Sequence, residues 1–242
     1  MMPPSLPIRW LLVSAVLHAA CSPTNSARSP TKDGAQDLAQ AHRPTRIVLQ
    51  PGPADGKDTF IHSGSRSRRN NYGNRIELTA GAWTAGDPFV LHGLFDFNLS
   101  SVPAKIRIHE ARLALHAELT SMMWRMGNNQ PPGHSTLSGS NTFSLRRVTS
   151  PWQESTVSWD TKPSTTPVDE VVLPASKAPD QNYLDIDVTG LVQTMLDDPQ
   201  NSHGFSLQLV TEDPYRQVIF ASSDHPDATL RPRLEIVLEG GE

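Results

Sequence analysis

The sequence predicts an all-β fold, an antiparallel sandwich or barrel that carries one short helix. Three observations predict it. Short apolar and β-branched runs recur through residues 46–238, and turn residues separate them at the spacing of a sandwich or barrel. Where the pattern is cleanest its period is two, the period of a strand with one face buried. Only one segment, residues 189–196, has a helical period, and no longer internal repeat is present.

Composition bounds the function. The chain has 242 residues, 37% of them hydrophobic, which suffices for one core of ordinary size. Charged residues make up 19% and the net charge is −4, too little to indicate disorder or a nucleic-acid surface. Cys21 is the only cysteine, so an intrachain disulfide and a thiolate zinc site are both excluded.

The first element is an export signal. Arg9 precedes the apolar run Trp10–Leu17, which is shorter than the roughly 20 residues needed to span a bilayer. Leu17-His18-Ala19-Ala20-Cys21 then resembles a bacterial lipobox, with His18 where such boxes usually have Leu. On that reading signal peptidase II cuts before Cys21, which carries the lipid. The product is a cell-envelope lipoprotein at the outer membrane or cell surface, touching the membrane only through its anchor. On the alternative, an ordinary signal is cut near Ala20 and the protein is secreted. Residues 1–21 are therefore assigned to the signal, 22–45 to a flexible tether and 46–242 to the folded domain. The tether holds Ser22-Pro23-Thr24-Asn25-Ser26 and Ser29-Pro30-Thr31 with no apolar periodicity, too little to offset the entropy of ordering.

Arg46–Gln50 opens the domain as a strand and Pro51-Gly52-Pro53 ends it. Ile76–Leu78 alternates, and Val90–Phe97 is an imperfect strand. Ile106–Ile108 leads into Ala111–Leu119, where Ala111, Leu113, Leu115, Ala117 and Leu119 share one face while Arg112, His116 and Glu118 share the other. Further strands are predicted at Phe143–Val148, Thr156–Trp159, Glu170–Leu173, Leu184–Val188, Phe205–Val210, Gln217–Ala221 and Leu234–Leu238. In the helix, Thr189 is placed to cap the start, Leu191, Val192, Met195 and Leu196 form the apolar stripe, and Asp197-Asp198-Pro199 ends it.

The order of several segments then resembles a known family. These are Asp58-Thr59-Phe60-Ile61, Asn71-Tyr72-Gly73-Asn74, Leu94-Phe95-Asp96-Phe97-Asn98-Leu99-Ser100 and Ile108-His109-Glu110-Ala111-Arg112-Leu113. They continue with Trp152-Gln153-Glu154-Ser155-Thr156-Val157-Ser158-Trp159, Asp187-Val188-Thr189, Phe220-Ala221-Ser222-Ser223-Asp224 and Arg231-Pro232-Arg233-Leu234. Together they resemble the DNRLRE (disaggregatase-related) domain family, also classed as carbohydrate-binding module family 96, over about residues 46–238. The resemblance implies a β-sandwich of jelly-roll type on an exported protein. It also implies a polysaccharide partner, in some members an acidic, alginate-like glycan.

Catalytic motifs fail in turn. His109-Glu110 would need His at position 113, which is Leu113, and a helix where the pattern is a strand. Gly204-Phe205-Ser206 starts like a nucleophile elbow, but its fifth position is Gln208. Asp185 and Asp187, two apart on a strand, share a face, yet Asp187 before Thr189 reads as helix-start chemistry. The domain is therefore expected to be a non-catalytic carbohydrate-binding module. The alternatives are a structural or adhesive surface module without glycan binding and, third, a polysaccharide-cleaving enzyme. A monomer is expected, with no nucleic-acid partner.

Arg66, Arg68, Arg69, Asn71 and Tyr72 lie in one short stretch. Guanidinium groups bind carboxylates in bidentate fashion, so this loop is the candidate site for a uronate-containing polysaccharide. Arg75 and Lys57 would extend the patch. Trp83 and Trp124, in loop-like sequence, are the expected aromatic platforms, with Tyr215 a further ring; Trp152 and Trp159 are assigned to the core. No cofactor is expected beyond a structural calcium, for which Asp55, Asp58 and Asp96 are the candidate oxygen ligands.

Overall fold

The computed structural model describes residues 45–120 and 130–239. Cys21, the signal, the tether up to residue 44 and Trp124 lie outside the described residues.

Among the described residues, twelve strands form two antiparallel sheets. The smaller sheet has the order β1 (Arg46–Leu49), β12 (Arg233–Leu238), β5 (Ile108–Leu115) and β9 (Tyr183–Asp187). The larger runs β6 (Ser135–Thr136), β11 (Arg216–Ala221), β3 (Glu77–Ala85), β4 (Asp87–Asp96), β10 (Phe205–Leu209), β7 (Phe143–Val148) and β8 (Thr165–Leu173), and β2 (Lys57–His62) also pairs with β4. Between them lies one core. Leu113, Leu115, Leu234 and Ile236 of the smaller sheet meet Leu78, Phe95, Phe143, Phe205 and Phe220 of the larger, and Phe95 stacks on Phe205 at 5.0 Å. The expected all-β sandwich is thus the observed one.

The single helix among the described residues, α1 (Thr189–Asp197), buries Leu191, Val192 and Met195. Its start departs in detail from the sequence reading. The Thr189 hydroxyl accepts from the Ala111 N–H of β5, and Asp187 takes the helix-start role, accepting from the Thr189 N–H at 3.0 Å.

Two differences from the predicted strands matter for the site. β2 is a full strand buried along almost its whole length, because the outer face of the larger sheet is itself covered by loops. Thr156–Trp159 is not a strand. It belongs to a loop whose Trp152 and Val157 cap Ile61, Leu94 and Val148 on that outer face, and it ends in a short turn at Trp159–Thr161 held by Ser158 and Thr161.

Candidate functional site

The loop of residues 63–76 joins β2 to β3 and carries the basic stretch. Consecutive turns shape it, with the Ser67 and Arg68 amides donating to Gly64 and the Asn70 amide to Ser67. Tyr72 anchors it: the ring is buried and stacks on Phe60 at 4.4 Å. Asn71 anchors it a second time, its side-chain amide donating to the carbonyls of Glu154 at 2.5 Å and Val157 at 2.9 Å. At Gly73 a Cβ would come within 2.5 Å of the Glu154 carbonyl, so only glycine lets the two loops approach this closely.

Two clefts flank the Tyr72 anchor. One, of about 450 Å3, is lined by His62, Arg66, Ser67, Tyr72 and Phe89 and by Ala85–Asp87 at the β3–β4 turn. The other, of about 540 Å3, is lined by Ser67, Asn70, Asn71, Tyr72, Asn74 and Arg75. Beneath the first, His62 stacks on Phe89 at 4.2 Å, and its Nδ1 accepts from the Gly64 N–H at 3.0 Å. Burial pushes this imidazole down to about 4, so the ring is neutral at physiological pH.

The three arginines of the candidate grip are not equivalent. Arg68 donates to Asp160 at 2.5 Å and Arg69 to the same carboxylate at 3.4 Å, and these bonds hold Asp160 below the usual carboxylate range. Arg66 makes no ion pair among the described residues and lines the first cleft. Arg66 and Asp87 are the charged residues that line the first cleft and Arg75 the one that lines the second, while Arg68, Arg69 and Asp160 line neither.

The aromatic rings are distributed differently from expectation. Trp83 is only 3% exposed, because it lies on the loop-covered outer face of the larger sheet, packed with Phe60, Tyr72, Phe89 and Leu91. It offers no surface platform. Its ring instead supports Tyr215, edge to face at 5.2 Å, and Tyr215 is 40% exposed. Tyr215 also holds a φ of 72°, a left-handed conformation that a tyrosine rarely adopts. Its hydroxyl reaches Thr84 at 3.4 Å, and Thr84 precedes the β3–β4 turn that lines the first cleft. The sequence offered only the Pro214-Tyr215 dipeptide as a signal for this ring. Trp152 is buried, and its indole N–H donates to the His203 carbonyl at 2.8 Å. Trp159 is half-buried beside the His92 ring and under the Lys162 ammonium at 3.9 Å.

The candidate calcium ligands separate. Asp55 accepts from the Gly52 N–H at 2.8 Å and Asp96 pairs with Lys57 at 2.9 Å. Both line a cleft of about 490 Å3 with Phe97, Leu99 and Met195. Asp58 gathers instead with Glu154 and Asp224. Asp58 is 3% exposed, and burial pushes its carboxyl up to about 6. Asp185 and Asp187 do share a face, but Arg112 of β5 lies at 3.6 and 3.7 Å from them and at 2.7 Å from Glu110, so their charge is answered within the sheet.

One family model, described as carbohydrate-binding module family 96, matches residues 54–237. No curated protein matches the chain.

Proposed function

The chain belongs to carbohydrate-binding module family 96, and from that premise we propose that it is a non-catalytic module that binds an acidic, uronate-containing polysaccharide at the clefts beside residues 64–75. One observation carries the choice of ligand. An exposed arginine without an ion-pair partner among the described residues, Arg66, lines a cleft together with the edge of a stacked aromatic cluster and a turn of polar backbone. A glycan carboxylate is a suitable partner for that guanidinium, and the buried rings of Tyr72, His62 and Phe89 form the floor of its cleft. Arg68 and Arg69 add long-range attraction.

The test is binding of the purified chain to a panel of soluble polysaccharides in affinity gels. Alginate and pectate are expected to retard it and uncharged glucans and xylans are not, and rising salt should weaken retardation. Retardation by neutral glycans alone, or by none of the panel, would overturn the reading. The chain should release neither reducing nor unsaturated ends from alginate, and steady release would restore the enzyme alternative.

We further propose that the module is exported and tethered to the envelope through a lipid on Cys21. A palmitate analogue fed to cells should label the protein and fail to label Cys21→Ala. An unlabelled, soluble wild type would mean simple secretion. Two or three acyl chains, as bacterial lipoproteins carry, suffice for stable anchoring where one does not.

A further inference from the structure

Three carboxylates that the glycan reading leaves unused meet where distant parts of the chain converge. Asp58 stands at the start of β2, Glu154 in the loop between β7 and β8, and Asp224 in the loop between β11 and β12. We propose that Asp58, Glu154 and Asp224 form a calcium site that ties these three segments together.

Geometry is the first argument. One oxygen from each residue lies within 4.8 Å of the others. Oxygens that share a calcium ion sit about 2.3–2.6 Å from it, so they are separated by no more than about 5 Å. The second argument is an orphaned acceptor. Asp58 Oδ2 accepts from the Ser223 N–H at 2.8 Å, but the buried Oδ1 has no hydrogen-bond partner, although the residue is 97% buried (3% exposed). A buried carboxylate oxygen left in this state is costly unless something supplies the missing contact.

The protein's own cations answer this charge only in part: Lys57 draws on Glu154 and Arg231 on Asp224 from a distance, but neither forms an ion pair with them. Lys57 pairs with Asp96 at 2.9 Å and lies over the Trp152 ring, while Arg231 donates to the His225 carbonyl at 2.9 Å. The His225 ring is paired with Glu118 at 2.7 Å. Among the described residues none of the three carboxylates joins an ion pair.

The donors select the ion. All three are hard oxygen ligands with no nitrogen or sulfur among them, which disfavours zinc. They come from three separate segments, an arrangement that suits the variable six to eight oxygens of calcium better than the strict octahedron of magnesium. A catalytic carboxylate pair fits less well. None of Asp58, Glu154 and Asp224 lines any of the three clefts described above.

This assignment does not rest on the glycan reading, and its test does not use a glycan. The full chain, stripped with a chelator and dialysed against labelled calcium, is expected to retain one ion. Calcium at about 1 mM should raise its melting temperature by about 5 °C. Asp58→Asn and Glu154→Gln should each weaken calcium binding at least about tenfold and remove most of that shift. Glu154→Gln is the cleaner variant, because the contact of this residue with Asn71 is made by its backbone carbonyl. No retained calcium in the wild type, an equal response to magnesium, or undiminished binding in Glu154→Gln would overturn the proposal.

Discussion

Asp160 stands between the candidate site and its charge. Its two oxygens accept from Arg68 at 2.5 Å and from Arg69 at 3.4 Å, so one carboxylate screens two guanidiniums that would otherwise face an acidic ligand. Asp160→Asn removes the negative charge and keeps a side-chain oxygen for one arginine. The backbone bond from the Asp160 amide to the Arg68 carbonyl, 3.2 Å, survives the change. The expected gain follows from Coulomb's law. A unit charge about 8 Å from a ligand carboxylate changes affinity about twofold at the dielectric of water, and severalfold where part of the field passes through protein at low salt. Affinity for an oligouronate should therefore rise about two- to fivefold at low salt, and the gain should shrink at about 0.3 M salt. Stability should change by no more than about 0.5 kcal/mol, the usual range for an exposed position. Isothermal titration with a defined alginate oligomer, at two salt concentrations, measures this. An unchanged or weakened affinity in a variant that melts like the wild type would refute the placement of the ligand beside this loop.

Other perturbations follow from the same geometry. Arg66→Ser should weaken uronate binding about fivefold, the worth of about 1 kcal/mol for one partly solvated charge pair, and leave the melting temperature unchanged in calorimetry. Tyr215→Gly removes the exposed ring and relieves a φ of 72°, so glycan affinity should fall while thermal stability holds or rises slightly. His62 predicts a pH dependence: its imidazole titrates near 4 when folded and near 6.5 when unfolded. The unfolded chain therefore binds the extra proton between those values. Stability is full above about pH 6.5 and falls as the pH drops toward 4, by at most about 3 kcal/mol and about half that once solvent access to the ring is allowed for. In His62→Asn, whose amide oxygen can replace Nδ1 as acceptor from Gly64, melting curves from pH 4 to 7 should lack this component, seen as a wild-type-minus-variant difference.

Strand alternation was legible because half-buried strands must alternate. Ala111, Leu113 and Leu115 face the core in the structure as they do in the pattern, but β5 ends at Leu115, and beyond it Leu119 is exposed and Glu118 is buried. β2 was harder to read. Lys57–His62 is buried from Asp58 onward, so its sequence mixes polar and apolar residues without a period, and its neighbours on the outer face come from loops far along the chain. The same non-local cover misled the reading of Thr156–Trp159, where tryptophan and valine are apolar because they cap a sheet and not because they belong to one. The sequence around Trp83 is loop-like, yet β3 extends to Ala85 and sets Trp83 under the loops that cover the outer face. Arg66, Arg68 and Arg69 formed a visible cluster; that Asp160, more than 90 residues on, takes up two of them is a fact of tertiary structure alone.

The segments that carried the family resemblance turn out to be a support for the loop that carries the charge. Asn71 spends its side chain on the carbonyls of Glu154 and Val157, Gly73 lets the chain close on Glu154, and the Asp58 N–H donates to the Glu154 carboxylate at 2.8 Å. The basic loop thus rests on the Glu154 segment, and that segment rests on β2. A loop fixed at Asn71, Tyr72 and Gly73 loses little further entropy when a ligand binds its exposed arginines, which is how a small, solvated site gains useful affinity. An ion held by Asp58, Glu154 and Asp224 would stiffen the same support from below. Chelation should then weaken glycan binding without the ion touching the glycan, an effect that Glu154→Gln should reproduce in the presence of calcium. If chelator and Glu154→Gln both left glycan affinity intact while calcium binding was lost, the loop would owe its order to the Asn71 bonds and to Tyr72 on Phe60, not to the ion.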